Sequence, residues 1–336
     1  MKKREEYIDI AKAIGIILVV AAHIIEVAKL ENINYLIKGI YSFHMPLFFF
    51  ISGICLSLNK ESKKTTLKEK IKKISLKLLL PYFIWSFIYM FLSNTLFKTK
   101  NLITTFTFRG LAPLWFLAAL AFCEVIFFII KNFTKKENES KTLIIICLIS
   151  FLLSYILNQK IIYEFFNNSH YLVNSIYIFI GRFLYSFPIL TTGYLLNEYH
   201  AFEKIKKKNF SIILGIILLS IAIYITYKTN LKVNLHLFKI SSIITFMISS
   251  LLGSFSIILL SKNIKDKYHL LKKIGKNSLA IMILHYPPFL TINYSTKLAS
   301  LISTNQYLIM FFSTIIVLII IHIAIWICEK KLFITK

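Results

Sequence analysis

Residues 9–23, DIAKAIGIILVVAAH, place an aspartate, a lysine and a histidine in a segment that is otherwise apolar. On an α-helix, Lys12 and His23 are three turns apart, so they share one face with about 16 Å between them. Asp9 precedes Lys12 by three residues and is close enough to pair with it. Ionisable groups at membrane depth cost about 2.5–3.5 kcal/mol each and commonly serve function. For Asp9 and Lys12, the alternative is a position at the membrane surface.

Polar or aromatic side chains also interrupt later apolar segments; these are His44, Ser52, Trp115, Glu124, Arg182 and His285. Ser52, together with Gly53, lets another helix or a ligand approach closely. Arg182 suits a phosphate or a carboxylate, but it could instead pair with Glu124. His44 and Trp115 could be interfacial residues, and His285 could bond to a neighbouring helix. The sequence leaves these alternatives open.

The composition is that of a membrane protein. Hydrophobic residues make up 57% of the chain, charged residues 16%, and the mean hydropathy is +0.69. The net charge of +25 does not indicate a nucleic-acid partner, because the lysines stand in short runs between apolar stretches and no known reader motif accompanies them. The four cysteines lie in apolar stretches, so neither a disulfide framework nor a metal site is expected.

Ten segments are long and apolar enough to cross a bilayer, which takes about 20 residues. They are 8–28, 38–58, 75–97, 112–131, 142–158, 171–196, 210–227, 238–261, 277–297 and 307–328. The sixth contains Gly181 and Pro188 and is a candidate for a kink, and Pro287-Pro288 are expected to end the regular helix of the ninth. We therefore predict an all-α integral membrane protein of about ten transmembrane helices in one bundle. Residues 1–336 would form a single membrane domain with no appended soluble domain.

The distribution of basic residues predicts the orientation. Of the 40 lysines and arginines, ten lie in the loops after spans one, three, five, seven and nine, and two lie within spans. The other loops and the tails hold the rest, so the positive-inside rule places both termini in the cytoplasm. The predicted location is the cell (inner) membrane. Lys73 and Lys77 close the most basic loop, where they could face a nucleotide phosphate or anionic lipid head groups.

These segments resemble motifs of the acyltransferase-3 family of membrane acyltransferases. The spacing from Asp9 and Lys12 to His23 is similar to its first-span motif, and FHMPLFFFISG to its second-span signature. LKLLLPYFIW, LWFLAAL and IGKNSLAIMILHYPP resemble its third, fourth and C-terminal motifs in the same order. Among the branches, the chain looks closest to the short fucose 4-O-acetylase-like and polysaccharide-modifying members.

The resemblance implies an O-acyltransferase that moves an acyl group, typically acetyl from acetyl-CoA, to a sugar hydroxyl of a surface polysaccharide or glycolipid. His23 would be the base, and His44 would orient it, share the proton or stabilise the oxyanion. Acyl-CoA would be a co-substrate, with no permanently bound cofactor, and would contact Asp9, Lys12, Lys73 and Lys77. Ser52, Trp115, Glu124, Arg182 and His285 would line the cavity or bind the acceptor. Direct transfer and an acyl-enzyme both remain open.

The chain departs from the family at Lys12 and Lys77, where arginine is common. A lysine is a point charge without the bidentate fork of arginine, so a clamp on phosphate or carboxylate would be weaker or differently built. A polysaccharide exporter or flippase is the main rival function, because buried charges also suit transport. We find no symmetry between the two halves that would favour it. A structural or sensory protein would not need so many polar groups in its spans.

Overall fold

The computed structural model describes residues 5–58, 66–205, 207–267, 269–286 and 291–334, with side chains as far as 327. In chain order the α-helices are α1 Glu6–Val27, α2 Tyr35–Tyr41, α3 His44–Leu58, α4 Leu67–Ile74, α5 Leu80–Leu92, α6 Thr99–Phe106, α7 Trp115–Phe133, α8 Glu139–Leu157, α9 Lys160–Asn167, α10 Tyr171–Glu198, α11 Ala201–Lys204, α12 Lys208–Lys228, α13 Ile243–Ser261, α14 Leu270–Lys276, α15 Ser278–Leu284, α16 Thr291–Ile302 and α17 Gln306–Ile334. Two short strands, β1 Val233–Asn234 and β2 Lys239–Ile240, form an antiparallel hairpin.

The fold is that of an all-α integral membrane protein, as predicted. Within the described ranges, nine helical segments are long and apolar enough to cross a membrane. They contain α1, α2 with α3, α4 with α5, α7, α8, α10, α12, α13 and α17. Pro188 lies inside α10, which the structure records as one helix of 28 residues.

The predicted ninth span, 277–297, differs from the expectation. Its helix α15 has only 7 residues and ends at Leu284, and α16 has 12. At 1.5 Å per residue, neither piece reaches across the roughly 30 Å hydrocarbon core of a bilayer. Pro287 and Pro288, which were expected to end the helix, lie outside the described residues. The predicted eighth span also starts too early, because 239–240 belong to the hairpin and α13 begins at Ile243.

The loops gather on two faces of the bundle. The face that carries the start of α1, which we call the N-terminal face, also carries the ends of α3, α10 and α13 and the helix α14. Lys272 of α14 bonds to Glu6 at 2.6 Å, Ser57 bonds to Glu198 at 2.9 Å, and the ammonium of Lys262 contacts the ring of Tyr7. This is the face predicted to be cytoplasmic.

The other loops meet at the far end of the bundle, which we call the opposite face. There the backbone N–H of Asn32 donates to the side chain of Gln306, and the hydroxyl of Tyr227 donates to the Tyr35 carbonyl. The side-chain amide of Asn158 donates to the Ile240 carbonyl. These contacts join the loops after α1, α8, α12 and α16. The alternation of loops between two faces therefore agrees with the order of spans inferred from the basic residues.

The helices that carry the polar residues of interest are the central ones. In the apolar window of α1, 72% of residues are buried, against 17% in the segment that contains α8. The helices α3 and α10 touch closely, because Gly53 faces the Leu190 carbonyl and Gly193 faces the Phe50 carbonyl. A Cβ at either glycine would lie about 2 Å from that oxygen (1.8 and 2.1 Å). Gly53 thus admits a neighbouring helix, one of the two options left by the sequence.

The hairpin β1–β2 closes over the opposite face. Val233 pairs with Ile240 and Asn234 with Lys239, and a 3₁₀ turn joins the strands. Phe238 at the end of the turn is fully buried and lies against Gly181 of α10, where a Cβ would approach its ring to 2.3 Å. The small residue at 181 therefore seats the hairpin on the bundle.

Candidate active site

Two cavities lie inside the bundle, one towards each face. The cavity towards the N-terminal face, which we call the lysine cavity, has a volume of about 210 Å³. Its polar lining residues include Lys12, Ser52, Lys70, Lys73, Lys77 and Glu124. Sites that enclose a drug-sized ligand measure about 300–1,000 Å³, so this one suits a narrow arm of a larger anionic molecule.

A π-helical turn positions two of these lysines. Pro81 follows the turn Ser75–Leu79 and has no N–H, so it cannot donate to the carbonyl of Lys77. The Leu80 N–H instead bonds five residues back, to the Ser75 carbonyl. Such wide turns recur at functional sites because they re-aim side chains. Here Lys73, before the turn, and Lys77, within it, both line the cavity.

Glu124 is the carboxylate of the lysine cavity and is almost fully buried. The hydroxyl of Ser52 donates to its Oε1 atom at 2.6 Å, and the charges of Lys77 and Lys12 act on it. The pair of Arg182 with Glu124, considered from the sequence, does not form: these contacts bind Glu124 to the lysine cavity.

Asp9 lies apart from the lysine cavity. Its side chain is fully buried in the first turns of α1, and it is not among the described residues that line the cavity. Gly275 of α14 packs directly on its backbone, where a Cβ would lie 1.8 Å from the Asp9 carbonyl oxygen. The structure therefore brings Lys12, Lys73 and Lys77 together and leaves Asp9 in the helix contact beside them.

The second cavity, towards the opposite face, has a volume of about 400 Å³ and we call it the histidine cavity. It is lined by His23, His44 and Trp115 from the predicted set, and also by Glu26, Tyr41, His236 and Tyr286. Among the described residues, no group of three or more His, Cys, Asp or Glu side chains is arranged to hold a metal ion. The polar groups in the lining named here are imidazoles, hydroxyls and one carboxylate.

His23 is bonded to His285, which is fully buried. Nδ1 of His23 lies 2.7 Å from Nε2 of His285, and the two rings stack with centroids 5.0 Å apart. Nδ1 of His285 lies 2.9 Å from the carbonyl oxygen of Ile281, which can only accept, so this nitrogen carries the proton. Nε2 of a neutral His285 is then an acceptor, and His23 must donate to it through Nδ1. This assignment leaves Nε2 of His23 with its lone pair, which is the atom a general base needs.

The end of α15 holds His285 in place. The last carbonyls of a helix lack partners within it. Here the Ile281 carbonyl accepts from the backbone N–H and Nδ1 of His285, the Ile283 carbonyl from Tyr89 of α5, and the Leu284 carbonyl from Thr291 of α16. The helix α15, which is too short to cross a bilayer alone, thus supports this imidazole. The hydrogen bond to a neighbouring helix, considered from the sequence, is the one to His23.

His44 occupies the first turn of α3, on another wall of the same cavity. Its Nδ1 lies 2.9 Å from the Ile40 carbonyl, so it donates there, and the ring stacks on Tyr41 with centroids 4.9 Å apart. In a neutral ring this leaves Nε2 as an acceptor. His44 and His23 therefore both present basic nitrogens.

Arg182 lies behind the histidine cavity. Its guanidinium donates to the carbonyls of Arg109 at 2.8 Å and Ile178 at 3.3 Å, and it stacks on the Trp115 ring with 5.1 Å to the centroid. Trp115 lines the cavity, and Arg182 does not among the described residues. Arg182 therefore supports the wall through Trp115.

Met282 lines both cavities. It is buried and flexible, since methionine has an unbranched side chain that adapts to irregular gaps. Among the described residues, the lysine cavity and the histidine cavity therefore meet at this one side chain.

Comparison with protein families decides the class of protein. The acyltransferase-3 family model, described as an acyltransferase domain, matches residues 5–325. The chain belongs to the acyltransferase-3 family. No curated protein and no solved structure matches it. The protein is thus a multi-pass membrane acyltransferase, and both cavities lie within the part of the chain that carries the family assignment.

Sequence reasoning missed four residues of this acyltransferase's histidine cavity. Glu26 and Tyr41 interact with each other, and Tyr286 packs edge-on against His23 with ring centroids 5.0 Å apart. Glu26 is one helical turn beyond His23, a spacing that could have indicated it. His236 had no such signal, because its place in the cavity depends on how the hairpin folds back.

His236 is unusual among these four. Its Nδ1 atom is buried with no hydrogen-bond partner in the described part of the chain. Burial and the nearby charges of Arg182 and Arg109 lower the pKa of His236 from 6.5 to about 3. The imidazole is therefore neutral at physiological pH.

Proposed function

We propose that the protein transfers acetyl from acetyl-CoA to a sugar hydroxyl of a cell-surface polysaccharide or glycolipid, in the cell (inner) membrane. We place it in the fucose 4-O-acetylase-like, polysaccharide-modifying branch of its family. The main support for this proposal is that two cavities meet at Met282. One is lined by four lysines, and the other by the imidazoles of His23 and His44. This arrangement suits a donor that arrives from one face and an acceptor that arrives from the other.

The donor would approach from the N-terminal face. The phosphates of the nucleotide would lie among the lysines, while the pantetheine arm would fill the narrow lysine cavity. Lys12 and His23 are about 16 Å apart on α1, a span that an extended pantetheine can cover. The thioester would then reach His23 by passing Met282.

His23 can both accept and return the one proton that the transfer moves. Nε2 of His23 takes the proton of the sugar hydroxyl as its oxygen forms a C–O bond to the thioester carbonyl carbon. The tetrahedral intermediate collapses, its C–S bond breaks, and the proton on Nε2 passes to the leaving thiolate. His285 accepts the Nδ1–H of His23 throughout, so the ring keeps its orientation and its positive charge is stabilised. The transfer is direct, without an acyl-enzyme.

Other residues of the histidine cavity would share protons, stabilise the oxyanion and bind the acceptor. Nε2 of His44 is an acceptor in its tautomer, which favours proton sharing with the sugar over stabilisation of the oxyanion. The hydroxyl of Tyr286, beside His23, is a donor and would face the oxyanion. Glu26 would accept hydrogen bonds from other hydroxyls of the acceptor sugar.

Glycan mass spectrometry tests this function. We expect cells that lose the gene to lose one acetyl mass increment from a surface glycan, and the wild-type gene to restore it. A His23→Ala variant should restore about 10²–10⁴-fold less, the contribution of a general base. His200→Ala is the matched control, because the side chain of His200 is exposed and bonds to Glu203, away from both cavities.

The same cells also test the exporter. If the surface glycan is absent but the intracellular glycan is unchanged in mass, the protein moves glycan and the transfer proposal is wrong. If His23→Ala is inserted in normal amount and restores full acetylation, His23 is not the base.

A further inference from the structure

A third cavity opens beside the histidine cavity on the opposite face. It has a volume of about 770 Å³, which is in the range of ligand sites, and we call it the hairpin groove. Its walls come from the end of α8, the start of α9 and both strands of the hairpin. Val233 and Asn234 of β1 line this groove and also the histidine cavity. A chain-like molecule in the groove could therefore present one of its units to His23.

The groove is basic. Lys160, Lys232 and Lys239 line it, although the loops on this face hold only ten lysines and arginines in all. Within the described ranges, the one ion pair of these three lysines joins Lys160 to Glu164, at 4.0 Å between side chains that are 87% and 58% exposed. Such a pair is worth little in water. Three cations converging on one groove repel each other unless an anion lies between them.

The remaining walls suit sugars. Tyr155 and Tyr163 supply aromatic side chains. The amides of Asn158 and Gln159 each donate once to a backbone carbonyl, and each keeps an acceptor oxygen and a second N–H that match hydroxyl groups. An anionic lipid head group needs only the lysines and would leave these rings and amides unused.

Hydrogen bonds and packing also fix the backbone of the hairpin groove in one conformation. Asn158 donates to the Ile240 carbonyl at 2.9 Å, the Lys232 N–H donates to the Ser241 hydroxyl at 3.0 Å, and buried Phe238 anchors the hairpin. The backbone that carries Lys232 and Lys239 is therefore held against α8 before any ligand arrives. Preorganisation of this kind lowers the ordering cost of binding.

We propose that the hairpin groove binds an anionic glycan, with carboxylate or phosphate groups, whose neighbouring unit enters the histidine cavity as the acceptor. This inference rests on the proposed function for the identity of the acceptor. It assigns the substrate class: a charged polymer rather than a neutral sugar. The groove holds the units next to the one that reacts.

Binding of oligosaccharide probes to the full chain tests the inference. The protein is placed in phosphatidylcholine nanodiscs without acyl-CoA, and its affinities for tetragalacturonate, a phosphorylated maltotetraose and neutral maltotetraose are compared. We expect at least one anionic probe to bind more tightly than maltotetraose, and this preference to shrink as salt screens the charges. The triple variant Lys160→Gln/Lys232→Gln/Lys239→Gln should bind that probe about tenfold more weakly.

The matched control is Lys29→Gln/Lys98→Gln/Lys297→Gln, which removes three exposed lysines that do not line the groove, two from loops and one from α16. This control is needed because a net charge of +25 attracts any polyanion. The inference is overturned if both triples lose affinity equally, or if neither anionic probe is preferred over maltotetraose. It is also overturned if added phosphatidylglycerol displaces the probe from the wild type, since the groove would then be a lipid site.

Because acyl-CoA is absent, the result is separate from acetyl transfer. Groove-dependent binding without any acetylated glycan in cells would contradict the proposed function alone. Acetyl transfer that depends on His23, with no groove-dependent binding, would contradict this inference alone.

Discussion

His23 and His285 are 262 positions apart in the chain, yet their ring nitrogens Nδ1 and Nε2 lie 2.7 Å apart. The bond runs from the end of α1 to the end of α15, and a backbone carbonyl at Ile281 sets the direction of both donors. In the proposed mechanism, His285 would act on the acceptor hydroxyl through His23, as a positioning residue.

Replacement of His285 should show whether it positions His23 through a hydrogen bond or only fills space. His285→Ala removes the acceptor for Nδ1–H, and we expect kcat to fall about 100-fold with the KM for acetyl-CoA unchanged, since misplacement of a base has this cost. His285→Gln, whose Oε1 can accept the same bond, should recover most of the rate. Equal loss of rate in both variants, with an unaltered pH profile, would contradict a positioning role.

Charge reversal at Lys77 should weaken donor binding. Lys77→Glu places a second carboxylate beside Glu124 in the lysine cavity, so we expect the KM for acetyl-CoA to rise about tenfold and the KM for the acceptor to stay the same. Lys141→Glu, an exposed lysine of α8, is the control. A KM for acetyl-CoA that is alike in both variants would remove Lys77 from the donor site.

Met282 should control passage between the cavities. Met282→Trp overfills the junction, at a cost of about 1–3 kcal/mol in stability, and we expect it to abolish transfer while acetyl-CoA still binds. Met282→Leu keeps the volume and should retain activity. Binding is measured by calorimetry and transfer by radiolabelled acetyl; full transfer by the tryptophan variant would show that the thioester takes another route.

Glu26 should matter for the acceptor alone. Glu26→Gln keeps the shape but removes the charge that strengthens hydrogen bonds to sugar hydroxyls. We expect the KM for the acceptor to rise about tenfold, with little change in the KM for acetyl-CoA. A rise in the KM for acetyl-CoA, with the KM for the acceptor unchanged, would place Glu26 outside the acceptor site.

His236 should make the fold sensitive to acid. Its pKa is lowered to about 3, so below pH 6.5 the unfolded chain takes up a proton at this position and the folded chain does not. Stability is therefore unaffected by this group above pH 6.5 and falls as the pH drops towards 3. Melting temperatures at pH 7 and pH 5 should differ more for the wild type than for His236→Gln; an equal difference would show that His236 does not carry this effect.

Much of the architecture was predictable, because apolar length decides which segments cross a bilayer. At 277–297 the composition satisfied the length criterion, but the described residues form two short helices instead of one long helix, and α15 ends at Leu284. At 239–240 the predicted start of the eighth span was wrong, because Lys239 and Ile240 form a strand of the hairpin and α13 begins at Ile243. In both places tertiary contacts, with Tyr89 or with Gly181, stabilise a shorter element.

The sequence by itself determined the membrane class, the family resemblance and the spacing of Lys12 and His23, since a helix converts sequence distance directly into a position on one face. Only the tertiary structure decided that His285 bonds to His23, that Met282 separates two cavities, and that Glu26 and His236 join the histidines. The physical reason is that these relationships lie between helices. They depend on how closely each pair of helices approaches and at what rotation. Small residues such as Gly53 and Gly275 permit close approaches, because a Cβ at either position would collide with the neighbouring backbone. The periodicity of the sequence does not show which helix that neighbour is.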